Sequence, residues 1–358
     1  MTNGFYTVHV ELGPRSYPVV IGSGARTRLR DVASHQPAVI ADETVAGLHL
    51  SALLEDLPHG SLVLTFPAGE ASKTLATATR LYEDLARARV ERTATIVAFG
   101  GGVAGDLAGF VAATWLRGVP YVQVPTTLLA AVDASVGGKT GVNLPAGKNL
   151  VGAFHQPRAV IIDTDFLQTL PQRECVAGLA ESVKHACVRD TPFFEWQAAH
   201  AESIVQRDPD ALAELIARNC AIKAEIVARD EREADLRAIL NYGHTIGHAL
   251  EHVLEYELRH GECVALGIRV ENEMARRRGL LPREHAEQIA EVLSRFGLPP
   301  KLPREVDPEQ VLAACRTDKK VHSRAIHFVL LEGLGRPVRV TNVADSEIVA
   351  ALEPIQGV

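Results

Sequence analysis

The first half of the chain alternates short apolar runs with stretches of helical periodicity. The apolar runs predict β-strands over residues 6–12, 17–22, 38–42, 62–66, 95–99, 121–125 and 159–163. Helical stretches follow the third, fourth and fifth of these runs and end near residues 54, 90 and 116. Such alternation predicts a mostly parallel sheet with helices on both faces, whose ligands bind beyond the carboxyl ends of the strands.

The pattern changes after residue 163. From about Gln172 onward helical periodicity dominates, and the strand-like run at residues 327–331 is the exception. We therefore predict an α/β fold class with two domains. A parallel-sheet domain would cover residues 1–165, and a mainly α-helical domain would cover residues 166–358.

Composition narrows the range of functions. The chain has 358 residues and a net charge of −7, which argues against a nucleic-acid partner because such a partner calls for a basic face. The five cysteines are scattered and form no Cys-x-x-Cys pair, which is typical of a reduced, cytoplasmic protein. The first residues lack the pattern of a signal peptide, and no apolar run approaches the ~18 residues of a membrane helix. We expect a cytoplasmic protein with no membrane or nucleic-acid partner.

A glycine-rich motif follows the strand predicted at 95–99. Residues 100–105 read GGGVAG, fit G-x-G-x-x-G and open a helix, which is the context of a dinucleotide phosphate site. The motif follows a middle strand, and the next strand along the chain ends without a ribose-binding acid. A tight turn needed only for packing is therefore the alternative. Asp42, Glu70 and Lys73 lie at strand ends or helix starts, where they either contact a nucleotide or cap helices.

Residues 133–149 read DASVGGKTGVNLPAGKN and are rich in glycine. This composition disfavours a regular helix or a central strand, so we predict a loop pinned between apolar flanks. Glycine N–H groups, the ammonium groups of Lys139 and Lys148 and the amide of Asn149 would form a clamp for a phosphate or carboxylate. The alternative is a surface loop with solvated lysines.

Polar residues recur at helical spacing in the segment 233–251. The residues at steps of four, four, three and four are Glu233, Arg237, Asn241, His244 and His248, and a continuous helix would place them on one face. Two histidines one turn apart commonly bind Zn²⁺, so spacing alone makes His244 and His248 the ligand pair. A solvated polar face is the alternative.

Two apolar helices carry charged residues. Glu181 and Lys184 lie in a largely apolar helix over 173–189, although such a pair is usually found at the surface. Lys223 lies in an apolar stripe of the helix over 211–228, where its ammonium group either snorkels to water or faces an anionic ligand. If that ammonium group has no partner in the protein, Lys223→Met should leave folding unharmed or slightly improved. His260 begins a further helix, where it could close a metal site.

These motifs occur in the order found in 3-dehydroquinate synthases, which the chain resembles over nearly its whole length. The segments that carry the resemblance read GGGVAGDLAGFVAATWLRG, VPTTLLAAVDASVGGKTGVN, GKNLVGAFHQP, DTDFLQTLP, GLAESVK, NYGHTIGHALE and HGE. The resemblance implies an N-terminal Rossmann-like nucleotide-binding domain, a C-terminal helical metal-binding domain, tightly held NAD, one divalent metal (zinc or cobalt) and a homodimer. It also implies a shikimate-pathway activity on a sugar phosphate, 3-deoxy-D-arabino-heptulosonate 7-phosphate. Oxidation, phosphate elimination, reduction and aldol cyclisation would convert this substrate to 3-dehydroquinate.

Residue roles follow from the same resemblance. The matched metal ligands are Glu181, His244 and His260, so His248 becomes a residue on the phosphate side of the substrate. The residues assigned to substrate contacts or catalysis are Arg117, Asp133, Lys139, Lys148, Asn149, Lys184, Lys223, Glu233, Arg237, Asn241 and His248. The residues assigned to NAD are Asp42, Glu70, Lys73, Gly102, Val103, Ala104, Gly105, Asp106, Thr126, Thr127, Lys139, Lys148, Phe166, Leu167, Gln168 and Thr169.

Some assignments carry a qualification. Arg117 matches an arginine that reaches the site of the neighbouring subunit, and either Lys319 or Lys320 would add a further cation to the substrate site. Leu144 and His185 depart from the family pattern, but neither is in the matched sets.

Three other functions stay open. A related sugar-phosphate cyclase would act on sedoheptulose 7-phosphate or glucose 6-phosphate, but the sequence GGKTGVN favours dehydroquinate synthase among the cyclases. A metal-dependent polyol dehydrogenase would not need so many cations around its substrate. A non-enzymatic anion-binding module would leave the metal ligands and the nucleotide loop without a purpose.

Overall fold

The computed structural model describes residues 4–33, 36–317 and 326–357. Its strands are β1 (Tyr6–Val10), β2 (Tyr17–Gly22), β3 (Ala38–Asp42), β4 (Leu62–Phe66), β5 (Ile96–Gly100), β6 (Tyr121–Pro125), β7 (Lys139–Leu144), β8 (Gly147–Phe154), β9 (Ala159–Asp163), β10 (Phe328–Gly333) and β11 (Arg336–Val340). Its α-helices are α1 (Leu29–Val32), α2 (Glu43–Leu54), α3 (Leu75–Arg87), α4 (Gly102–Thr114), α5 (Gln172–Arg189), α6 (Thr191–Ala199), α7 (Ala201–Val205), α8 (Pro209–Arg229), α9 (His244–Val253), α10 (His260–Arg277), α11 (Arg283–Arg295), α12 (Pro308–Thr317) and α13 (Asp345–Leu352).

The chain divides by its contacts into two compact units. Unit 1 comprises Met1–Pro171 and Pro209–Arg232, and unit 2 comprises Gln172–Asp208 and Glu233–Val358. Helix α8 belongs to unit 1, where it packs against β1 and β2. This division differs from a contiguous boundary at 165/166, which stays a prediction.

A seven-stranded sheet forms the centre of unit 1, in the order β1-β2-β9-β6-β5-β3-β4. Its neighbouring strands are parallel, except that β1 pairs antiparallel with β2. Alternate side chains of β5 enter two cores: Ile96 and Ala98 pack with α3 and α4, whereas Val97 and Phe99 pack on the opposite face. The predicted α/β class with a mostly parallel sheet is confirmed.

The prediction that residues 133–149 form only a loop was wrong, because β7 and β8 pair as an antiparallel hairpin. Gly141, one of the glycines that suggested a loop, and Gly152 in the partner strand allow close packing between the two strands. A Cβ on Gly152 would lie 2.2 Å from the carbonyl oxygen of Thr140, and a Cβ on Gly141 would lie 2.9 Å from that of Val151. A two-stranded hairpin beside the main sheet therefore accommodates a composition that a central strand would not.

Unit 2 is mainly helical, and α10 is its central element. This helix packs against α5, α9, α11 and α13 and also against β10, which pairs with β11. Two glycines on α10 allow the closest approaches. A Cβ on Gly261 would lie 1.8 Å from the carbonyl oxygen of Ala177 on α5, and a Cβ on Gly267 would lie 2.0 Å from that of Gly243.

Residues 233–251 do not form the continuous helix on which a shared polar face depends. A 3-10 helix covers Leu236–Asn241 and ends at Tyr242, which has a ψ of 126°; Gly243, with a φ of 78°, then precedes α9, which begins at His244. The five polar residues of this segment therefore do not share one helical face, and their spacing does not make them one functional set.

Two observations concern the cellular setting. Among the residues that the structure describes, no helix is long and apolar enough to span a bilayer. All five cysteines lie in buried, described positions, and no disulfide joins them.

Candidate functional site

The glycine motif of unit 1 lies where a strand ends and a helix begins. Gly100 ends β5 with a φ of 148°, and α4 starts two residues later with no side-chain hydrogen bond at its N-cap. A Cβ on Gly100 would lie 2.7 Å from Cβ of Ala104 and 2.9 Å from Oδ2 of Asp42. The backbone N–H groups at the start of α4 are thus left for a ligand, which suits a phosphate group.

Asp42 is an acidic residue that lies beside the glycine motif. Strands β3 and β5 are neighbours in the sheet, so Asp42 at the end of β3 lies beside Gly100 at the end of β5. Its Oδ1 accepts a hydrogen bond from the N–H of Val45 at 2.9 Å and caps α2, while Oδ2 lies toward the glycine loop. The capping and nucleotide interpretations are therefore compatible. From the sequence, an acid was sought at the end of β6, the strand that follows β5 in the chain. The acid lies instead at the end of β3, which is the neighbour of β5 in the sheet.

Other residues assigned to NAD line the same carboxyl edge. The N–H of Thr126 donates to the carbonyl of Gly100 at 2.9 Å, and Thr127 lies against Gly101. The remaining members lie in two helices. The first turns of α4 carry Gly102, Val103, Ala104, Gly105 and Asp106, and the 3-10 helix Thr164–Thr169 carries Phe166, Leu167, Gln168 and Thr169. The structure thus brings the ends of β3, β5, β6 and β9 together.

A polar chain joins this edge to the hairpin. The ammonium group of Lys73 is buried and lies 2.6 Å from the carboxylate of Asp106 and 3.6 Å from that of Glu70. The amide of Asn143 in β7 donates to Glu70 at 2.8 Å, and its oxygen accepts from the N–H of Asn149 at 2.9 Å. Asn143 was not assigned from sequence, although it lies within the motif GGKTGVN.

The cations of the hairpin face outward. Lys139 begins β7, and Lys148 and Asn149 lie in β8; all three are exposed. Asn149 has a φ of 54°, in the left-handed region that favours glycine. Leu116 and Arg117 have φ values of 48° and 68°, and Arg117 is exposed. Strained backbone of this kind concentrates at functional positions.

The ammonium group of Lys223 is paired, so the expectation that it lacks a partner in the protein was wrong. Its Nζ lies 2.8 Å from Oδ1 of Asp133 and also contacts the carbonyl oxygen of the same residue. Asp133 lies in a π-helical turn, Ala130–Ala134, that packs against α8. Since 90 positions separate the two residues, the apolar pattern of α8 alone could not reveal the pair.

Three side chains from three helices of unit 2 converge on one point. Oε1 of Glu181 on α5 lies 3.2 Å from Nε2 of His244, at the start of α9, and 3.2 Å from Nε2 of His260, at the start of α10. Glu181 is fully buried, and its Oε2 forms an ion pair with the buried Lys184. The ligand atoms of Glu181, His244 and His260 all lie within 4.8 Å of one another, as a metal site requires.

The second nitrogen of each imidazole ring is held by the protein. Nδ1 of His244 lies 3.1 Å from the carbonyl oxygen of Tyr242, and Nδ1 of His260 lies 2.5 Å from Oε1 of Glu251. A carbonyl or carboxylate oxygen only accepts, so each Nδ1 carries the proton. In a neutral ring Nε2 then presents its lone pair to the carboxylate of Glu181. Two lone pairs face each other stably only with a cation between them, so this donor set fits a divalent metal.

Electrostatics agree with this assignment of protons for His244 and add a second proton to the ring of His260 in the metal-free protein. Burial lowers the pKa of His244 to about 4, which keeps its ring neutral near pH 7. Burial also acts against a charge on His260, but hydrogen bonds to Glu181 and Glu251 outweigh it and raise its pKa to about 10. Burial favours the protonated form of Glu181, yet Lys184 and the two histidines hold its pKa well below its usual range. Without metal, a proton on His260 therefore occupies part of the place that a cation would take.

The other assigned residues of unit 2 lie nearby in the chain but not on one helical face. The ring centroid of His248 lies 5.3 Å from that of His244 and 5.9 Å from that of His260. Among the described residues, no group of three potential metal ligands contains both His244 and His248. Arg237 is buried, and the amide of Asn241 donates to Glu233 at 3.3 Å. Lys319 and Lys320 lie outside the described residues.

Comparison with known proteins assigns the family. Family models match as 3-dehydroquinate synthase N-terminal over residues 63–177 and 3-dehydroquinate synthase C-terminal over residues 178–321. The chain is 45% identical over 357 residues to the 3-dehydroquinate synthase of Symbiobacterium thermophilum, with 97% of this chain and 100% of that protein covered.

Solved structures of related enzymes have the same fold. One is 2-epi-5-epi-valiolone synthase from Streptomyces hygroscopicus subsp. jinggangensis with NAD⁺ and Zn²⁺ bound. Its TM-score is 0.88 at 31% identity, with 96% of this chain and 97% of that chain covered. Another is 2-deoxy-scyllo-inosose synthase complexed with carbaglucose-6-phosphate, NAD⁺ and Co²⁺. Its TM-score is 0.88 at 28% identity, with 98% of this chain and 100% of that chain covered. On the strength of the two family models and the full-length relatives, this chain belongs to the 3-dehydroquinate synthase family.

Proposed function

We propose that this protein converts 3-deoxy-D-arabino-heptulosonate 7-phosphate to 3-dehydroquinate and phosphate, the shikimate-pathway reaction of its family. The observation that carries the proposal is the convergence of Glu181, His244 and His260, whose ligand atoms all lie within 4.8 Å of one another. A buried cluster of this kind is costly unless a cation occupies it, and the reaction of the family uses a divalent metal.

The metal site would be formed by these three side chains. Bound Zn²⁺ or Co²⁺ would supply a Lewis acid for the hydroxyl and carbonyl oxygens of the substrate. Lys184 holds Glu181 in its charged form by an ion pair, so that its carboxylate is ready to bind the cation. One oxygen of Glu181 thus pairs with Lys184, and the other faces the two histidines.

NAD would bind at the carboxyl edge of the sheet in unit 1. The N-terminus of α4 would bind the pyrophosphate, and Asp42 would accept hydrogen bonds from a ribose. The other assigned residues line this edge or adjoin it through Glu70, Lys73 and Asp106. NAD would supply an acceptor for hydride that is restored within each turnover, so it need not leave.

The remaining assigned residues would hold the two anionic ends of the substrate, its carboxylate and its phosphate. The proposed cations are Lys139, Lys148, Lys184, Lys223, Arg237 and Arg117, and the proposed neutral or acidic partners are Asp133, Asn149, Glu233, Asn241 and His248. Fixing both ends in one geometry would let a single site serve several consecutive steps. In the structure Lys223 already has a carboxylate partner, Asp133, so a substrate anion would share or replace that contact.

The direct test is phosphate release from the heptulosonate phosphate by metal-loaded protein with a catalytic amount of NAD. We expect phosphate to appear continuously while absorbance at the NADH wavelength stays flat. Stoichiometric NADH would instead indicate a polyol dehydrogenase, and absence of turnover with this substrate would contradict the proposal.

A second candidate is a related sugar-phosphate cyclase, which the high structural similarity to 2-epi-5-epi-valiolone synthase and 2-deoxy-scyllo-inosose synthase favours. Sedoheptulose 7-phosphate and glucose 6-phosphate should therefore be assayed beside the heptulosonate. The heptulosonate is preferred because identity to dehydroquinate synthases reaches 45% over the full chain, against 28–31% for these cyclases.

The proposal extends to a cytoplasmic homodimer. Exposed apolar side chains support an interface between copies: Leu150 and Phe154 on the hairpin, and Leu116 just after α4. Leu150 and Phe154 are four positions apart in β8 and so lie on one face of the strand. Sedimentation velocity of the purified protein would test the dimer, and a monomer at micromolar concentration would contradict it.

A further inference from the structure

The two histidines of the proposed metal site are oriented by different kinds of acceptor. The carbonyl oxygen of Tyr242 holds Nδ1 of His244, so that contact belongs to the backbone. The carboxylate of Glu251 holds Nδ1 of His260 at 2.5 Å, so that contact belongs to a side chain that substitution can remove. Glu251 was not among the residues assigned from sequence.

Glu251 contacts His260, and the ligand atoms of His248, Glu251 and His260 also lie within 4.8 Å of one another. It lies on α9, seven residues after His244, and is only 8% exposed, although an unpaired carboxylate would be costly there. Its contact is with Nδ1, the nitrogen opposite to the one that lies 3.2 Å from Glu181. A carboxylate in this position reaches the back of the ring rather than its metal-facing nitrogen.

We infer that Glu251 is a positioning residue that fixes the tautomer and orientation of His260 for metal binding. By accepting the Nδ1 proton, it keeps the Nε2 lone pair directed at the point shared with Glu181 and His244. A carboxylate behind a ligand imidazole also makes the ring a stronger donor, as in carboxylate–histidine–zinc arrangements. This inference rests on the proposed metal site.

Two other roles of Glu251 are distinguishable from this one. As a direct metal ligand it would contribute an oxygen to the ion, and its loss would change the coordination sphere. As a purely structural link between α9 and α10 it would affect stability without changing metal affinity in the folded protein. Variants of equal length separate these cases, since glutamine keeps an acceptor oxygen and methionine does not.

The experiment measures the zinc dissociation constant by competition with a chromophoric chelator, together with the absorption spectrum of the Co²⁺-loaded protein. The variants are Glu251→Gln and Glu251→Met, and the matched control is His252→Ala, at the exposed neighbouring position on α9.

We expect Glu251→Met to bind zinc about 10–100-fold more weakly, the usual effect of removing the partner of a ligand histidine. Glu251→Gln should stay within ~10-fold of the parent protein and keep its Co²⁺ spectrum, because the acceptor remains. His252→Ala should match the parent protein.

The outcomes separate this inference from the proposed function. If the parent protein binds neither zinc nor cobalt, the metal site itself is wrong and the role of Glu251 is overturned with it. If the parent protein binds metal and Glu251→Met binds it equally tightly, only the inference about Glu251 is overturned. A changed Co²⁺ spectrum in Glu251→Gln would make Glu251 a direct ligand. Should Glu251→Met fail to fold, as shown by circular dichroism, Glu251→Ala takes its place in the zinc measurement: binding about 10–100-fold weaker supports the inference, and binding equal to that of the parent protein overturns it.

Discussion

The glycine loop of unit 1 and the histidine cluster of unit 2 are built in opposite ways. The loop uses contiguous residues, 100–106, and offers backbone: a φ of 148° at Gly100 and helix N–H groups without a side-chain cap. The cluster takes Glu181, His244 and His260 from three different helices and offers side-chain lone pairs. A site built from contiguous backbone can be recognised as a local sequence motif, whereas a site assembled by packing cannot. Because the loop offers backbone, added side-chain atoms should disturb it, and because the cluster offers side chains, removing side-chain atoms should disturb it.

The largest effect is expected from removing a ligand of the cluster. We expect His244→Ala to weaken zinc binding by at least ~1,000-fold, because even the loss of an outer partner of a ligand costs ~10–100-fold. Elemental analysis of dialysed protein should find almost no metal. His248→Ala is the matched control on the same helix and should retain metal near the ratio of the parent protein while losing turnover. An empty site in His248→Ala would restore the pair His244 and His248 that spacing alone suggested.

The next effect adds an atom beside the cluster instead of removing one. A Cβ at Gly261 would lie 1.8 Å from the carbonyl oxygen of Ala177, so α10 must move away from α5, and His260 moves with α10. We expect Gly261→Ala to lower the free energy of unfolding by about 3 kcal/mol, at the upper end of overpacking effects. Urea denaturation measures this change.

The control for Gly261→Ala is a helical glycine with open space around it. Gly47→Ala on α2 meets no atom within 4 Å and should be neutral or stabilising by up to about 1 kcal/mol. Equal stability of Gly261→Ala and the parent protein would show that α5 and α10 adjust easily, and that the cluster depends less on close helix packing than its geometry indicates.

The fold of unit 1 was predictable because its signals are local. Strands β2, β3, β4, β6 and β9 occupy the segments predicted for them, since each is a short apolar run ended by a turn or polar residue. The order of these strands was not predictable, and that order is what puts Asp42 beside Gly100. The hairpin β7–β8 was missed because its glycines have a packing role that only the paired strands reveal.

The cluster of unit 2 was predictable only in part. Its histidines are conspicuous, but the spacing argument selected the pair His244 and His248, and the family resemblance was needed to select Glu181 and His260. Tertiary packing decides the matter physically, since Glu181 on α5 meets both His244 and His260 at 3.2 Å, and the spacing of two histidines on α9 cannot reveal that convergence. Glu251 was not assigned although it ends the motif NYGHTIGHALE, because a glutamate one position before an exposed histidine on a helix looks like a surface residue.

A smaller effect tests the loop by the same addition of one methyl group. We expect Gly100→Ala to weaken NAD binding by about 10-fold, equivalent to ~1.4 kcal/mol, because its Cβ would crowd Ala104 and Asp42 at the start of α4. Isothermal titration with NAD measures this change, and the zinc content of the same sample is the control that should not move. Loss of zinc together with NAD would show that the two regions are not independent, which would break the comparison.

The smallest effect concerns a side-chain pair within unit 1. It tests whether the contrast lies between the two units, or between a site built from contiguous backbone and a site assembled from distant side chains. Lys223→Met removes the ammonium group that lies 2.8 Å from Asp133. We expect a loss of about 1 kcal/mol in the free energy of unfolding, less than for a fully buried pair because the Asp133 side chain is 28% exposed. Adding Asp133→Asn should cost less in the Lys223→Met background than in the parent protein, since the partner is already absent. Such coupling would show that unit 1 also contains an assembled site, whose members are 90 positions apart and as hidden from local pattern as the histidine cluster. If Lys223→Met is as stable as the parent protein, the ion pair contributes nothing to folding, and the charge is retained for a ligand alone.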